Sequence, residues 1–229
     1  MDRGLYIAAS GMLAEQVRQE QIANDLANAS TPGYKADRTA QRAFGDMMLA
    51  NSATGQVVGP QSTAVQVDAV QTDWAPMPAC DTGEPLDFAI TGDGFFAVRT
   101  PQGTRYTRNG QFTVSPTGTL ATAQGAEVLG RDGAPVRVGA DGRVDPRRLG
   151  VVTLTGARKD GDSLVAGTPG GGAPAGQVRA GALEGSGADP ARSMVDMIAS
   201  LRAFEAGQRV ITTIDETLGK ASSQVGTLS

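Results

Sequence analysis

Histidine is absent from this 229-residue chain, and with it go the usual general base, the commonest metal ligand and the side chain that switches charge near neutral pH. Cys80 is the single cysteine, so no intrachain disulfide can form and no thiolate cluster can hold zinc. Pro76, Pro78 and Pro85 surround it, and no cationic residue lies closer in sequence than Arg99, so it reads as an incidental residue of a linker. Aromatic residues make up 4% of the chain, which excludes a core built mainly on large rings. No apolar run approaches the ~20 residues needed to cross a bilayer as a helix. No basic run exceeds the pair Arg147-Arg148 and the formal net charge is −4, so nucleic acid is not expected as a partner.

Glycine, by contrast, is plentiful at 31 residues, and a core made of Ala, Val, Leu and Ile between many turns implies a thin, loop-rich β-domain. The stretch from Leu5 to Ala14 is apolar enough to resemble the centre of a secretory signal. However, Asp2 cancels Arg3, and the stretch runs into Glu15-Gln16 with its helical period intact. The expectation is a soluble chain with no membrane insertion, whose passage out of the cytoplasm would leave the N-terminus uncleaved.

Both ends carry helical periodicity. Leu5, Ala9, Met12, Gln16, Gln19, Ala23 and Leu26 recur at alternating steps of four and three, as do Met194, Met197, Leu201, Phe204, Gln208, Ile211, Asp215 and Leu218. Each stripe mixes apolar and polar residues, so each helix needs a packing partner, and the first available partner is the other end. Asp2 can cap the first helix, which Ser30-Thr31-Pro32-Gly33 ends. Asp189 followed by Pro190 is a start signal for the second, and the apolar period continues to Leu218 before a frayed tail.

The residues between read as β-structure. Lys35 to Leu49 fits either a short helix or an extended arm. Thr63, Val65 and Val67 alternate as in a half-buried strand, and Pro76 to Pro85 reads as a connector. Leu86 to Ile90 and Phe95 to Val98 flank Gly92-Asp93-Gly94, while Arg105 to Thr107 and Gln111 to Val114 flank Asn109-Gly110, which predicts two tight hairpins. Asp132-Gly133, Asp141-Gly142 and Asp160-Gly161 mark further turns, and Gly167 to Gly176 a loop. The fold class expected is α+β. Residues 1–35 and 190–229 form a helical core paired like a coiled coil, 36–85 and 170–189 an extended connector, and 86–169 an all-β domain.

Three blocks carry a resemblance. The first is L-Y-I-A-A-S-G-M at Leu5 to Met12 with I-A-N-D-L-A-N-A-S-T-P-G-Y-K at Ile22 to Lys35. The second is L-D-F-A-I-T-G-D-G-F-F-A-V at Leu86 to Val98 with Y-T-R-N-G-Q-F at Tyr106 to Phe112 and L-A-T-A-Q-G at Leu120 to Gly125. The third is L-E-G-S at Leu183 to Ser186 with M-V-D-M-I-A-S-L-R-A-F-E-A at Met194 to Ala206. In content and order these resemble the flagellar basal-body rod proteins, a family that includes the hook subunit. The resemblance implies a structural subunit without enzymatic activity or cofactor, exported by the flagellar type III apparatus. It implies polymerisation with copies of itself and with neighbouring rod and hook proteins into a tube that has end helices inside and β-domains outside. The apolar stripe residues Leu5, Ala9, Met12, Ala23, Leu26, Met194, Met197, Leu201, Phe204, Ile211 and Leu218 are then the candidate assembly interface, and Pro32 and Gly33 the hinge. The short chain leans towards the proximal-rod type, while the intact Gly92-Asp93-Gly94-Phe95-Phe96 looks more like the distal type.

Other readings are weaker. An intramolecular helical hairpin explains the stripes equally well without the resemblance. A hydrolase using Asp87 and Asp93 would need no histidine, but no second acidic block points at them. Gly92-Asp93-Gly94 lacks both the acidic ladder of a calcium loop and the Gly-Lys-Ser/Thr of a phosphate loop, so it reads as a turn. A β-domain adhesin leaves two helices without a role.

Overall fold

The computed structural model describes residues 2–44, 47–50, 57–61, 64–161, 163–171 and 176–225. The chain divides into two compact units, one of residues 1–27, 37–71 and 190–229, the other of 28–36 and 72–189.

The first unit contains helix α1 (Asp2–Ala27), strands β1 (Asp37–Phe44), β2 (Met47–Ala50), β3 (Val57–Gln61) and β4 (Ala64–Thr72), and helix α2 (Pro190–Val225). β1 pairs with β4, and β2 pairs antiparallel with β3. The segment after Lys35, open between helix and arm from sequence, is therefore extended wherever it is described, and Thr63 of the alternating strand lies outside the described residues. α2 starts at Pro190, whose missing amide costs nothing at a first helical position. It does not fray after Leu218 but runs through Gly219 to Val225. One interior glycine costs only about 1 kcal/mol, too little to end a helix of this length.

The second unit holds β5 (Ala79–Asp81), β6 (Phe88–Thr91), β7 (Phe95–Thr100), β8 (Gly103–Thr107), β9 (Phe112–Val114), β10 (Leu120–Thr122), β11 (Glu127–Val128), β12 (Val151–Val152), β13 (Leu154–Lys159), β14 (Leu164–Pro169), β15 (Gln177–Ala180) and β16 (Ala182–Glu184). Seven strands follow the order β13-β14-β8-β7-β11-β10-β9, and β12 adds to β7 to complete an eight-stranded sheet. β6 pairs with β15 and β5 with β16. β7 is buried on both faces, as the period of two requires of a central strand. Phe96 and Val98 join Phe88, Ile90, Phe112, Leu120, Val128 and Leu149 in one cluster, while Phe95 and Ala97 join Tyr106, Leu129 and Val165 in another. The few aromatics are concentrated here: Phe96 meets Phe112 edge-on with ring centroids 5.3 Å apart, and Trp74 meets Phe95 at 5.7 Å.

Neither tight hairpin predicted from sequence forms. β6 leaves Gly92-Asp93-Gly94 to pair with β15, and β7 pairs with β8 instead. The Arg108 guanidinium takes up the carbonyls of Ile90 and Gly92, which a hairpin turn would have used itself. Asn109-Gly110 does not reverse the chain between β8 and β9 as a hairpin either. Gly110 lies across β6, accepting from the Phe88 amide at 3.0 Å, and β9 pairs with β10. The Pro-rich connector contains β5, so Cys80 is an exposed strand residue opposite Leu183 rather than part of a linker. The loop expected from Gly167 begins later, because β14 extends to Pro169. The three Asp-Gly turns are present, with positive φ at Gly133, Gly142 and Gly161.

Two glycines separate steric from conformational cost. A methyl at Gly110 would overlap the Phe88 carbonyl, whereas Gly118, at φ +75°, has open space around it. Gly110→Ala should lower the stability of the β unit by about 3 kcal/mol or more and Gly118→Ala by about 1 kcal/mol, as measured by urea unfolding. Equal losses would show that the Phe88 crossing yields without cost.

Candidate assembly site

In the helical unit, α1 and α2 meet through small residues. Ser200 is fully buried, and its hydroxyl donates to Glu15 Oε2 at 2.6 Å and reaches the Glu15 carbonyl oxygen at 3.3 Å. A Cβ on Gly207 would lie 2.8 Å from Met12 Cγ, and one on Gly4 would lie 3.3 Å from Ile214 Cδ1. Close backbone approach at these points leaves an open apolar groove along the pair, lined among others by Ala8, Gly11, Ala14, Ala203 and Val210. Ser200 sits where a larger side chain would force the helices apart, and its hydroxyl is satisfied by the glutamate.

The apolar stripes read from sequence are half in place. Leu5, Met12 and Leu26 on α1, and Met197, Phe204, Ile211 and Leu218 on α2, are half-buried. The alternate members, Ala9 and Ala23 on α1 and Met194 and Leu201 on α2, are exposed, as are the polar stripe residues Gln16, Gln208 and Asp215. Their neighbours Ala8, Glu15 and Ile22, and Ser193, Ser200, Gly207 and Ile214, turn inward instead. One residue is about 100° of helix rotation. The four-and-three spacing placed Leu201 and Gln208 in the seam, whereas at these two points close approach of the helices favours the smaller neighbours Ser200 and Gly207. The signal that would have found them is the recurrence of small residues at Gly4, Ala8 and Gly11 and at Ser200, Ala203 and Gly207. Tyr6, Leu13, Met194, Val195, Ile198, Leu201 and Val210 remain as exposed apolar side chains.

The β unit has a second focus, a buried ion cluster. Glu184 is 1% exposed and accepts from Lys35 Nζ at 2.7 Å and from Arg108 Nη1 at 3.0 Å, with the Met77 amide a third donor at 2.8 Å. Lys35 also donates to the Ala75 carbonyl at 2.6 Å. Burial pushes the Lys35 amine below its ordinary range, while the hydrogen bond and charge of Glu184 oppose that shift. Arg108 stacks over Phe95 with 5.2 Å to the ring centroid, which adds a cation–π contact to a guanidinium whose Nε has no hydrogen-bond partner among the described residues. β16 presents Ala182 and Glu184 on its inward face, so a strand alternation places a charge where an apolar residue would be expected. That charge in an inward register was the sequence signal for the site.

Around the cluster the turn after α1 is fastened down. Gly33 is buried at φ +66°, its amide donates to the Glu184 carbonyl at 2.9 Å, and an added methyl there would overlap the Arg108 carbonyl. Pro32 beside it is half-buried. The Gly187 amide donates to the Tyr34 carbonyl at 2.8 Å, the Ser186 hydroxyl to the Asn28 carbonyl at 2.8 Å, and Lys159 lies over the Tyr34 ring. Asp87 is buried and accepts from the Thr82 hydroxyl at 2.7 Å, whereas Asp93 is exposed beyond the far end of β6. The two carboxylates are not brought together. Among the described residues no cluster of potential metal ligands occurs.

Three family models match the chain in the order of its three blocks. They are the flagella basal body rod protein model over residues 5–35, the flagellar hook protein FlgE/F/G D1 domain over 89–146, and the flagellar basal body rod FlgEFG protein C-terminal model over 179–224. All three describe flagellar rod or hook proteins. The chain is 32% identical to the flagellar basal-body rod protein FlgG of Bacillus subtilis, over 95% of this chain and 97% of that one. It is 35% identical to FlgF of Escherichia coli over 97% and 98% of the two chains, and 31% identical to FlgF of Caulobacter vibrioides over the full length of both. The chain belongs to the flagellar basal-body rod protein family, of the FlgF and FlgG type. Relatives of both names match at similar identity. Lys35, Arg108 and Glu184 come one from each matched block.

Replacing Glu184 by Gln leaves two buried cations without a countercharge. It should cost the β unit about 3–5 kcal/mol of unfolding free energy, read from urea denaturation followed at Trp74. Lys35→Met, which keeps the Arg108 pair, should cost distinctly less. A larger loss in Lys35→Met than in Glu184→Gln would contradict Glu184 as the centre of the cluster.

Proposed function

We propose that this chain is a structural subunit of the bacterial flagellar basal-body rod, polymerising with copies of itself and with neighbouring rod and hook proteins into the shaft that transmits torque to the hook. The observation that carries this is the apolar surface on the helices. Tyr6, Leu13 and Val195 are each about two-thirds exposed, at 66%, 64% and 66%, and Leu201 is 44% exposed. Clustered apolar side chains on a monomer surface mark interaction sites. Contacts between different faces of successive copies, related by a rotation that does not close, build a helical filament. α1 and α2 pair in a coiled-coil-like manner, and Leu5, Met12, Met197, Phe204 and Ile211 support that pairing, while Ala9, Ala23, Met194 and Leu201 serve contacts with other subunits. Pro32 and Gly33 fix the turn by which the chain leaves α1.

The subunit reaches the cell envelope through the flagellar type III export apparatus. No described helix is long and apolar enough to cross a membrane.

Leu201 tests the assembly reading because its side chain is exposed in the single chain. Leu201→Asp should change the stability of the purified subunit by no more than about 0.5 kcal/mol, yet prevent its incorporation into rods and abolish motility. Swimming cells with intact basal bodies carrying this substitution would refute the placement of Leu201 in a subunit contact.

A further inference from the structure

We infer that the Lys35–Glu184–Arg108 cluster, with the Asn28–Ser186 bond beside it, sets the register in which α1 lies against α2. The β unit holds both chain segments that lead into the helices. Asn28 follows the last residue of α1, Ser186 comes shortly before the first residue of α2, and the Ser186 hydroxyl donates to the Asn28 carbonyl at 2.8 Å. Glu184 ties the same two segments a second time, through Lys35 Nζ and through its own carbonyl to the Gly33 amide.

From these anchors the helices run in opposite chain directions, and the points where they meet lie at matching distances along each. Glu15 is twelve residues from Ala27 and Ser200 ten from Pro190. Met12 is fifteen and Gly207 seventeen, and Gly4 is twenty-three and Ile214 twenty-four. The mismatch never exceeds two residues, about 3 Å of helix at 1.5 Å per residue. Equal lengths measured from adjacent fixed points would produce this register. At the closest points of the seam, Gly207 beneath Met12 and Gly4 beneath Ile214, one partner offers no side chain of its own to lock the register. Lys35, Ser186 and Glu184 are therefore positioning residues for the helix pair. The inference does not depend on the rod reading, since it concerns a single chain.

Disulfide trapping in the full-length chain, with Cys80→Ser as parent, tests it. The pair Met12→Cys with Gly207→Cys reports the observed register, and Met12→Cys with Ala203→Cys reports a slip of one turn. Intrachain products are read from the monomer band after oxidation. In the parent the first pair should exceed the second by about tenfold or more, since disulfide geometry tolerates little displacement. Lys35→Met should reduce that ratio several-fold with Trp74 emission unchanged, whereas Ser200→Ala, which alters only the seam, should leave the ratio as it was. If Lys35→Met disturbs Trp74, Ser186→Ala decides by the same ratio. A ratio held at the parent value in the deciding variant, or one that collapses in Ser200→Ala as far as in that variant, overturns the inference.

Discussion

The carboxylate of Glu184 is the interaction on which the β unit depends. A charge at 1% exposure is tolerated only when cations and hydrogen-bond donors surround it, and here they come from segments far apart in the chain. Lys35 lies 149 residues away and Arg108 lies 76 away. Satisfying this one carboxylate requires the turn after the first helix, the end of β8 and the strand before the second helix to be present together. The close fits at Gly33 and Gly110 follow from that convergence, since the backbone at Arg108 and at Phe88 passes where a side chain would otherwise stand. The same requirement draws one residue of each family block, Lys35, Arg108 and Glu184, into the β unit.

The helical unit is organised on the opposite principle. Its closest approaches are at small residues, and the Glu15–Ser200 hydrogen bond lies among them, while Leu13, Val195 and Leu201 are exposed. An isolated soluble domain gains nothing from exposing Leu13, Val195 and Leu201, whereas a subunit that completes its packing with neighbours does. The β unit supplies stability within the chain, and the helices keep much of their apolar surface in reserve.

Local chemistry alone specified the two terminal helices, the start of the second at Pro190, the α+β class and the Asp-Gly turns, through helical period, a missing proline amide and glycine's access to positive φ. The sequence also carried the family, in three blocks whose order survives any detail of packing. Strand pairing, helix rotation and the ion cluster were decided only in the tertiary structure. Gly92-Asp93-Gly94 and Asn109-Gly110 have the residues of hairpin turns, but Arg108 captures the carbonyls at the first and the crossing over Phe88 occupies the second. The helix stripes have the right period and are displaced by one residue at every second position, because hydrophobicity cannot see how closely two backbones approach. Glu184, an ordinary charge in an alternating strand, becomes the centre of the unit only when Lys35 and Arg108 arrive from elsewhere. Local propensity is written in neighbouring residues, whereas the partner of a buried charge is set by the path of the whole chain.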